Sequence, residues 1–322
     1  MYITMDEGER GELDTRLRGI RAQVHSHPEL SNREFETTKL VQRHLAALGL
    51  EPVELGLPTG AAALLRGGRP GPTVGLRADL DALPVTEQTG APYGSENEGV
   101  MHACGHDVHT SVLLGAAELL TKRREEIAGN ILFLFQPAEE AMVGARHVVE
   151  QGLFQRVKLS ALLGMHVWPQ LPRGEVGLRA GAFFAAVDNF RIVITGRGGH
   201  GSTPNLSRSP IGAGAALALA IPAIKAYDLP PTEPATVAVT LLQAGYCNNV
   251  IPDTCELQGT IRTFSEEARH IVAQRLQELT RSTAAAWGCT GEAEISKGTP
   301  PLVNDEGLEQ VMAGAARTVF GE

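Results

Sequence analysis

The stretch that most constrains this chain is residues 101–109, Met-His-Ala-Cys-Gly-His-Asp-Val-His, where three of the ten histidines and one of the four cysteines fall together. Cys104 and His106 are two apart, so on an extended backbone both side chains reach the same side. An imidazole and a thiolate together form a ligand pair for a borderline metal such as Zn²⁺. The stretch runs into Thr-Ser-Val-Leu-Leu-Gly-Ala-Ala-Glu-Leu-Leu, an apolar helical pattern. That sets the cluster at a helix N-terminus, where backbone N–H groups favour anions and lower a thiol's pKa. The competing explanation is a helix cap, through Asp107 or Thr110, with incidental histidines.

With 322 residues the chain is long enough for two domains, each with its own core. A net charge of −9 without a basic block argues against nucleic acid as the main partner. Cysteines at 104, 247, 255 and 289 follow no disulfide framework. The acidic start lacks an apolar signal core, so no secretion is expected. The longest uncharged small-residue run, Ser209–Ile224, falls short of the roughly 20 residues a span needs and reads as a buried helix. The expectation is a soluble, cytoplasmic protein with no membrane partner.

In chain order, 6–25 and 32–48 read as amphipathic helices, with Gly49 a C-cap for the second. Between them His25 and His27 lie in a turn, as ligands or as capping residues. Residues 61–65 and 73–77 read as two strands joined by a Gly/Pro turn, the second ending in Arg77-Ala-Asp79-Leu-Asp81. Acids just past a strand's C-terminal end sit where open α/β sheets place their ligands. Ile131-Leu-Phe-Leu-Phe135 reads as a buried, parallel strand that delivers Glu139 and Glu140. Adjacent acids point in different directions, so one can bind metal while the other serves as a base; the residues alone do not choose between them. A helix at about 142–151 and a strand, Ala161-Leu-Leu, lead to His166. Successive β-α units that each deliver ligand types at a strand end favour a metal site.

From about Phe183 the pattern becomes β-α-β-β-α-β: strands at 188–195, 235–242, 254–263 and 291–297, helices at 210–226 and 265–286. That order predicts a compact α+β domain inserted into the first. From Gly298 the chain is expected to return to the first domain and end in a helix at 305–319. Gly196-Arg-Gly198-Gly-His-Gly201 fits G-x-G-x-x-G, but no helix opens at the third glycine and no acid ends a second strand about twenty positions on. A functional turn presenting His200 is preferred to a nucleotide site.

Taken together these stretches resemble the M20-type metallo-amidohydrolases, in the branch that cleaves N-acyl amino acids and includes hippurate and auxin-conjugate hydrolases. The matching segments are 27–31, 75–84, 101–109, 135–140, 164–174, 198–201, 249–253 and 259–264, in the family's order. Where other branches carry His-x-Asp this chain has Arg77-Ala-Asp79, and Cys104 takes its place. The resemblance implies a mainly parallel sheet flanked by helices in a catalytic domain of 1–182 and 299–322, with a lid and dimerisation domain at 183–298. It implies two divalent metals per subunit (Zn or Mn, with Co or Ni as options), ligands Cys104, His106, Glu140 and His166, and Glu139 as general base. By the same likeness His200 stabilises the oxyanion in the partner subunit's site, Asn249 and Arg262 bind substrate, Asp79 orients the ligands, and the protein is a homodimer. The family's chains continue past this ending to a final histidine ligand. An incomplete catalytic domain is therefore expected, and with it a non-catalytic homologue as one alternative to N-acyl-amino-acid hydrolysis; a dipeptidase or carboxypeptidase of the same family is the other.

Overall fold

The computed structural model describes residues 5–321. Contacts divide the chain into two compact units, Met1–Pro172 and Arg173–Glu322. The first contains α1 (Glu7–Ser26), α2 (Phe35–Ala47), β1 (Glu51–Pro52), β2 (Ala61–Arg66), β3 (Arg69–Asp79), α3 (His106–Lys122), β4 (Ala128–Gln136), α4 (Gly144–Glu150), α5 (Leu153–Arg156) and β5 (Ala161–Gly164). The strands form one sheet in the order β1-β2-β4-β3-β5. β3 runs parallel to β4 and β5, while β2 is antiparallel to β4 and to β1.

The sheet is therefore mixed, and β2 and β3 are not neighbours. β4 lies between them because Ile131–Phe135 is apolar at every position and needs cover on both faces. Phe133 and Phe135 point to one face with Ala61, Ala63 and Leu65, packed under Val24 of α1, Leu40, Val41 and Leu45 of α2, and Leu113, Leu114 and Ala117 of α3. Leu132 and Leu134 point to the other with Ala62 and Leu64, against Val148 of α4 and Leu153 of α5. One strand with period two thus feeds two cores.

The second unit contains β6 (Gly181–Phe184), β7 (Ala186–Thr195), β8 (Gly199–His200), α6 (Pro210–Ala220), α7 (Ala223–Tyr227), β9 (Ala235–Ala244), β10 (Val250–Ile251), β11 (Thr254–Thr263), α8 (Glu266–Ala286), β12 (Thr290–Lys297), β13 (Leu302–Asn304) and α9 (Glu306–Phe320). Its main sheet has the order β12-β7-β11-β9, all pairs antiparallel. The expected β-α-β-β-α-β order is present, and Ile192, Ile194, Leu257, Leu217, Val272 and Leu276 form its core. The helix expected over 210–226 breaks between α6 and α7, where Pro222 has no N–H to continue the ladder. Residues 299–322, expected beside the first domain, carry β13, which pairs with β6. After Gly201 the chain makes a single turn of tight helix at Pro204–Leu206, and α6 opens only at Pro210. Among the described residues no helix is long and apolar enough to cross a membrane.

Candidate metal centre

The three parallel strands of the first unit end together, and the acids and histidines follow their C-terminal ends. Asp79 closes β3 and Asp81 follows it; Glu139 and Glu140 follow β4; His166 follows β5. Cys104 and His106 arrive on the turn into α3, where Gly105 adopts φ 88° and so admits no ordinary side chain.

His106 is the hub. Its side chain is fully buried, with Nε2 lying 3.6 Å from Asp79 Oδ2, 3.8 Å from Glu140 Oε1 and 4.0 Å from Glu139 Oε2. Its Nδ1 lies 3.4 Å from Asp81 Oδ1. Cys104 Sγ is 3.4 Å from His166 Nε2. Three groups of donor atoms converge closely enough to share an ion: Cys104 with His106 and His166, His106 with Glu139 and Glu140, and Asp79 with His106 and His109. His109 is already engaged at both ring nitrogens, by Asp79 Oδ1 at 2.6 Å and the Val167 N–H at 2.9 Å. Asp79 also takes Arg77 Nη1 at 2.7 Å, so its carboxylate is occupied by neighbours.

Two observations test whether these residues fit metals. Both ring nitrogens of His106 and Glu140 Oε1 are buried without a hydrogen-bond partner, a cost normally avoided unless something else completes the site. The local charge also asks for a cation. Burial pushes the His106 imidazolium down, but Asp81, Cys104 and Asp79 outweigh it and raise it to about 11. The imidazoles of His106 and His166 beside it lower the Cys104 thiol toward the thiolate that metals bind. The donor set fits divalent cations.

Glu139 has a different environment from Glu140. Burial, with Asp79 and Glu140 nearby, raises its carboxyl against the opposing effect of His106. A carboxyl raised in this way takes and returns a proton more readily than an ordinary one. The turn that carries both acids is sharply bent, with Ala138 at φ 51° and Met142 at φ 56°. It closes onto Gly144, where a Cβ would stand 1.6 Å from Pro137 O. Gly144→Ala is expected to lower stability by about 1–3 kcal/mol or more, as overpacking does. Urea denaturation reads it, and an unchanged midpoint would refute the packing argument.

Beside the cluster a cavity of about 480 Å³ is lined by Arg21, Tyr93, His102, Cys104, His166 and Trp168 among others. Its inner wall is a polar network in which Asp107 accepts from Arg21 Nε at 2.9 Å and meets His25 Nδ1 at 2.9 Å, with Glu87 at His25 Nε2. So His25 is tied to carboxylates within this network, while His27 is exposed beside Glu96. His102 is buried with neither ring nitrogen partnered, and burial pushes it down to about 4. The unfolded chain protonates this residue near pH 6.5 and the folded chain near 4, so stability falls as pH drops through that window. The contribution is at most about 3 kcal/mol. In metal-free protein His102→Gln should flatten this part of the urea-midpoint pH profile; an identical slope in both proteins would count against it.

The remaining expected residues lie in the second unit. His200 is exposed on β8, opposite Val250, with Nδ1 2.8 Å from Ser202 Oγ. Asn249 is brought beside it: its carbonyl accepts the Gly201 N–H at 2.8 Å, and its side-chain Oδ1 accepts from Cys247 Sγ at 2.9 Å. Arg262 sits on β11, half-buried, with Nη1 on the Ile261 carbonyl at 2.9 Å and on Thr260 Oγ1. Two buried acids and a histidine had no assigned role in the sequence reading: Asp81, Glu34 and His102. Asp107, offered there as a helix cap, instead meets Arg21 and His25, with Gly105 at the cap position of α3. The signal for Asp81 was its place past a strand end; nothing local marks Glu34.

The model of peptidase family M20/M25/M40 matches residues 75–322. An N-acetylcysteine deacetylase of Bacillus subtilis is 43% identical over 292 residues, covering 90% of this chain and 76% of its own length. A hippurate hydrolase of Campylobacter jejuni is 35% identical over 97% of this chain and 81% of its own. Among solved structures, the YXEP protein of Bacillus subtilis, described as a dinuclear metal-binding M20 peptidase, superposes with a TM-score of 0.86 at 39% identity. The match covers 96% of this chain and 80% of that one. The chain belongs to the M20/M25/M40 peptidase family, in its amidohydrolase branch.

Proposed function

We propose that the protein hydrolyses the amide bond of N-acyl amino acids, hippurate-like compounds included, to a carboxylic acid and a free amino acid. The observation that carries this reading is the convergence of Cys104, His106, Glu140 and His166 donors around a cation-demanding pocket with the raised carboxyl of Glu139 at its side. Those four residues would hold two divalent ions, Zn²⁺ or Mn²⁺ first, with Co²⁺ and Ni²⁺ as alternatives. When bound, the ions would supply Lewis acidity to a water and to the amide carbonyl.

The chain's own residues do the rest. Glu139 takes a proton from the attacking water and returns it to the leaving nitrogen, so the acyl carbon gains an oxygen as the C–N bond breaks. His200 donates to the developing oxyanion across a homodimer formed through 183–298. Arg262 forks the substrate carboxylate and Asn249 steadies it. In this reading 1–182 and 299–322 belong to one catalytic domain, and the enzyme works in the cytoplasm on a small-molecule substrate.

A second reading, dipeptide or carboxypeptide cleavage, draws on the description of the YXEP protein as a peptidase. Metal-loaded protein assayed on N-acetyl and N-benzoyl amino acids beside dipeptides separates the two. Faster release from the acyl amino acids supports the first reading, and the reverse order supports the second. No turnover of either class at full metal occupancy would leave a non-catalytic homologue.

A further inference from the structure

The turn bearing Glu139 and Glu140 is gripped by two buried carboxylates that come from elsewhere in the chain. Glu34 Oε1 accepts the N–H of Ala138 at 2.8 Å and that of Asn32 at 3.0 Å, while its Oε2 accepts from Thr59 Oγ1. Asp81 accepts the next two: Glu139 N–H on Oδ1 at 3.0 Å and Glu140 N–H on Oδ2 at 2.9 Å. Three successive backbone donors are thus held by charged acceptors, which are stronger and shorter than neutral ones. Glu34 is wholly buried and Asp81 is 1% exposed.

Asp81 does more than hold a turn. Its Oδ1 also faces His106 Nδ1 at 3.4 Å, while His106 Nε2 faces the opposite way, toward Asp79, Glu139 and Glu140. Ser31 Oγ donates to Asp81 Oδ2 at 2.6 Å and fixes the carboxylate's plane. One side chain therefore touches the backbone of both acids and the far nitrogen of the central histidine.

We propose that Asp81 is the positioning residue of the metal centre. With its Oδ1 held 3.4 Å from His106 Nδ1, its charge keeps the Nε2 side of the ring turned into the donor cluster. By accepting the two backbone N–H groups it places Glu139 and Glu140 in register with that nitrogen. A carboxylate behind a metal-binding histidine fixes its tautomer and raises its basicity. Glu34 supports the same turn without touching His106. This assignment rests on the metal-centre reading above and adds to it a residue that sets the geometry without itself being a ligand.

The test uses Co²⁺ as the probe, titrated into the metal-free full chain well below its melting temperature, with affinity and absorption bands as readouts. Asp81→Asn removes the charge and one acceptor at nearly constant volume. It is expected to weaken Co²⁺ binding about 10–100-fold and to shift the bands, because the donors no longer meet at the same angles. Ser31→Ala, a milder change, is expected to weaken binding about 2–10-fold, and it carries the test should Asp81→Asn fail to fold. Glu34→Gln serves as the comparison: it loosens the turn, and a purely structural role for Asp81 predicts the same band positions for both variants. Wild-type affinity and bands in folded Asp81→Asn, or in Ser31→Ala if that is the folded one, overturn the proposal alone. A wild-type chain that binds no Co²⁺ overturns the metal-centre reading with it.

Discussion

Glu139→Gln is expected to lower kcat on an N-acyl amino acid by about 10²–10⁴-fold, the range general acid–base groups supply, with metal content unchanged. Glutamine keeps the size of the side chain but cannot take a proton from water or return one to the leaving amine. The metal donors assigned to Cys104, His106, Glu140 and His166 are untouched, and the backbone N–H that Asp81 holds is still present. KM should move little, because the lost interaction belongs to the transition state and not to the bound substrate. The contrast with Glu140→Gln makes the experiment decisive. Glu140 presents a buried, unpartnered Oε1 to His106, so its neutralisation should cost metal first and turnover as a consequence. A near-normal rate in Glu139→Gln would remove it as the base. Loss of metal from Glu139→Gln with retention in Glu140→Gln would exchange the two roles.

How far the sequence reveals this site depends on whether a signal is local. Cys104, His106 and the helix that follows are legible because residue types and spacing lie within a few positions of one another. The apolar run at 131–135 is legible for the same reason, and it fixes where Glu139 and Glu140 emerge. Strand order is not: β2 and β3 carry the same local signals whether or not a third strand lies between them, and only the demand of β4 for cover on both faces puts it there. The break at Pro222 was available in principle, since a proline inside a helical pattern removes a donor. Glu34 was not available at all. Its partner Ala138 is 104 positions away, and on its own a glutamate at the start of α2 reads as a favourable helix-end charge. His109 shows the opposite case, a residue whose type suggests a ligand but whose two nitrogens are spent on Asp79 and Val167.

His106→Ala tests the whole centre, because His106 is the one side chain shared by all three convergent donor groups among the described residues. Loss of an outer partner such as Asp81 costs about 10–100-fold in metal affinity; loss of a shared ligand should exceed that range and reduce binding to at most one ion per chain. Stability should change even without metal. In metal-free protein His106 is raised to about 11 and carries a proton that offsets Asp79 and Asp81. Its removal leaves Asp81 without its cation, while Asp79 keeps Arg77, a loss of about 3–5 kcal/mol at neutral pH or below. The pH dependence has a definite sign. A histidine whose folded pKa is raised contributes fully below its ordinary 6.5 and loses that contribution as pH climbs toward 11. The gap in urea midpoint between metal-free wild type and His106→Ala should therefore be widest near pH 6 and close as pH rises through 9. Equal midpoints at pH 6 would mean that His106 carries no stabilising proton, and metal affinity within about 100-fold of wild type would move it from ligand to bystander.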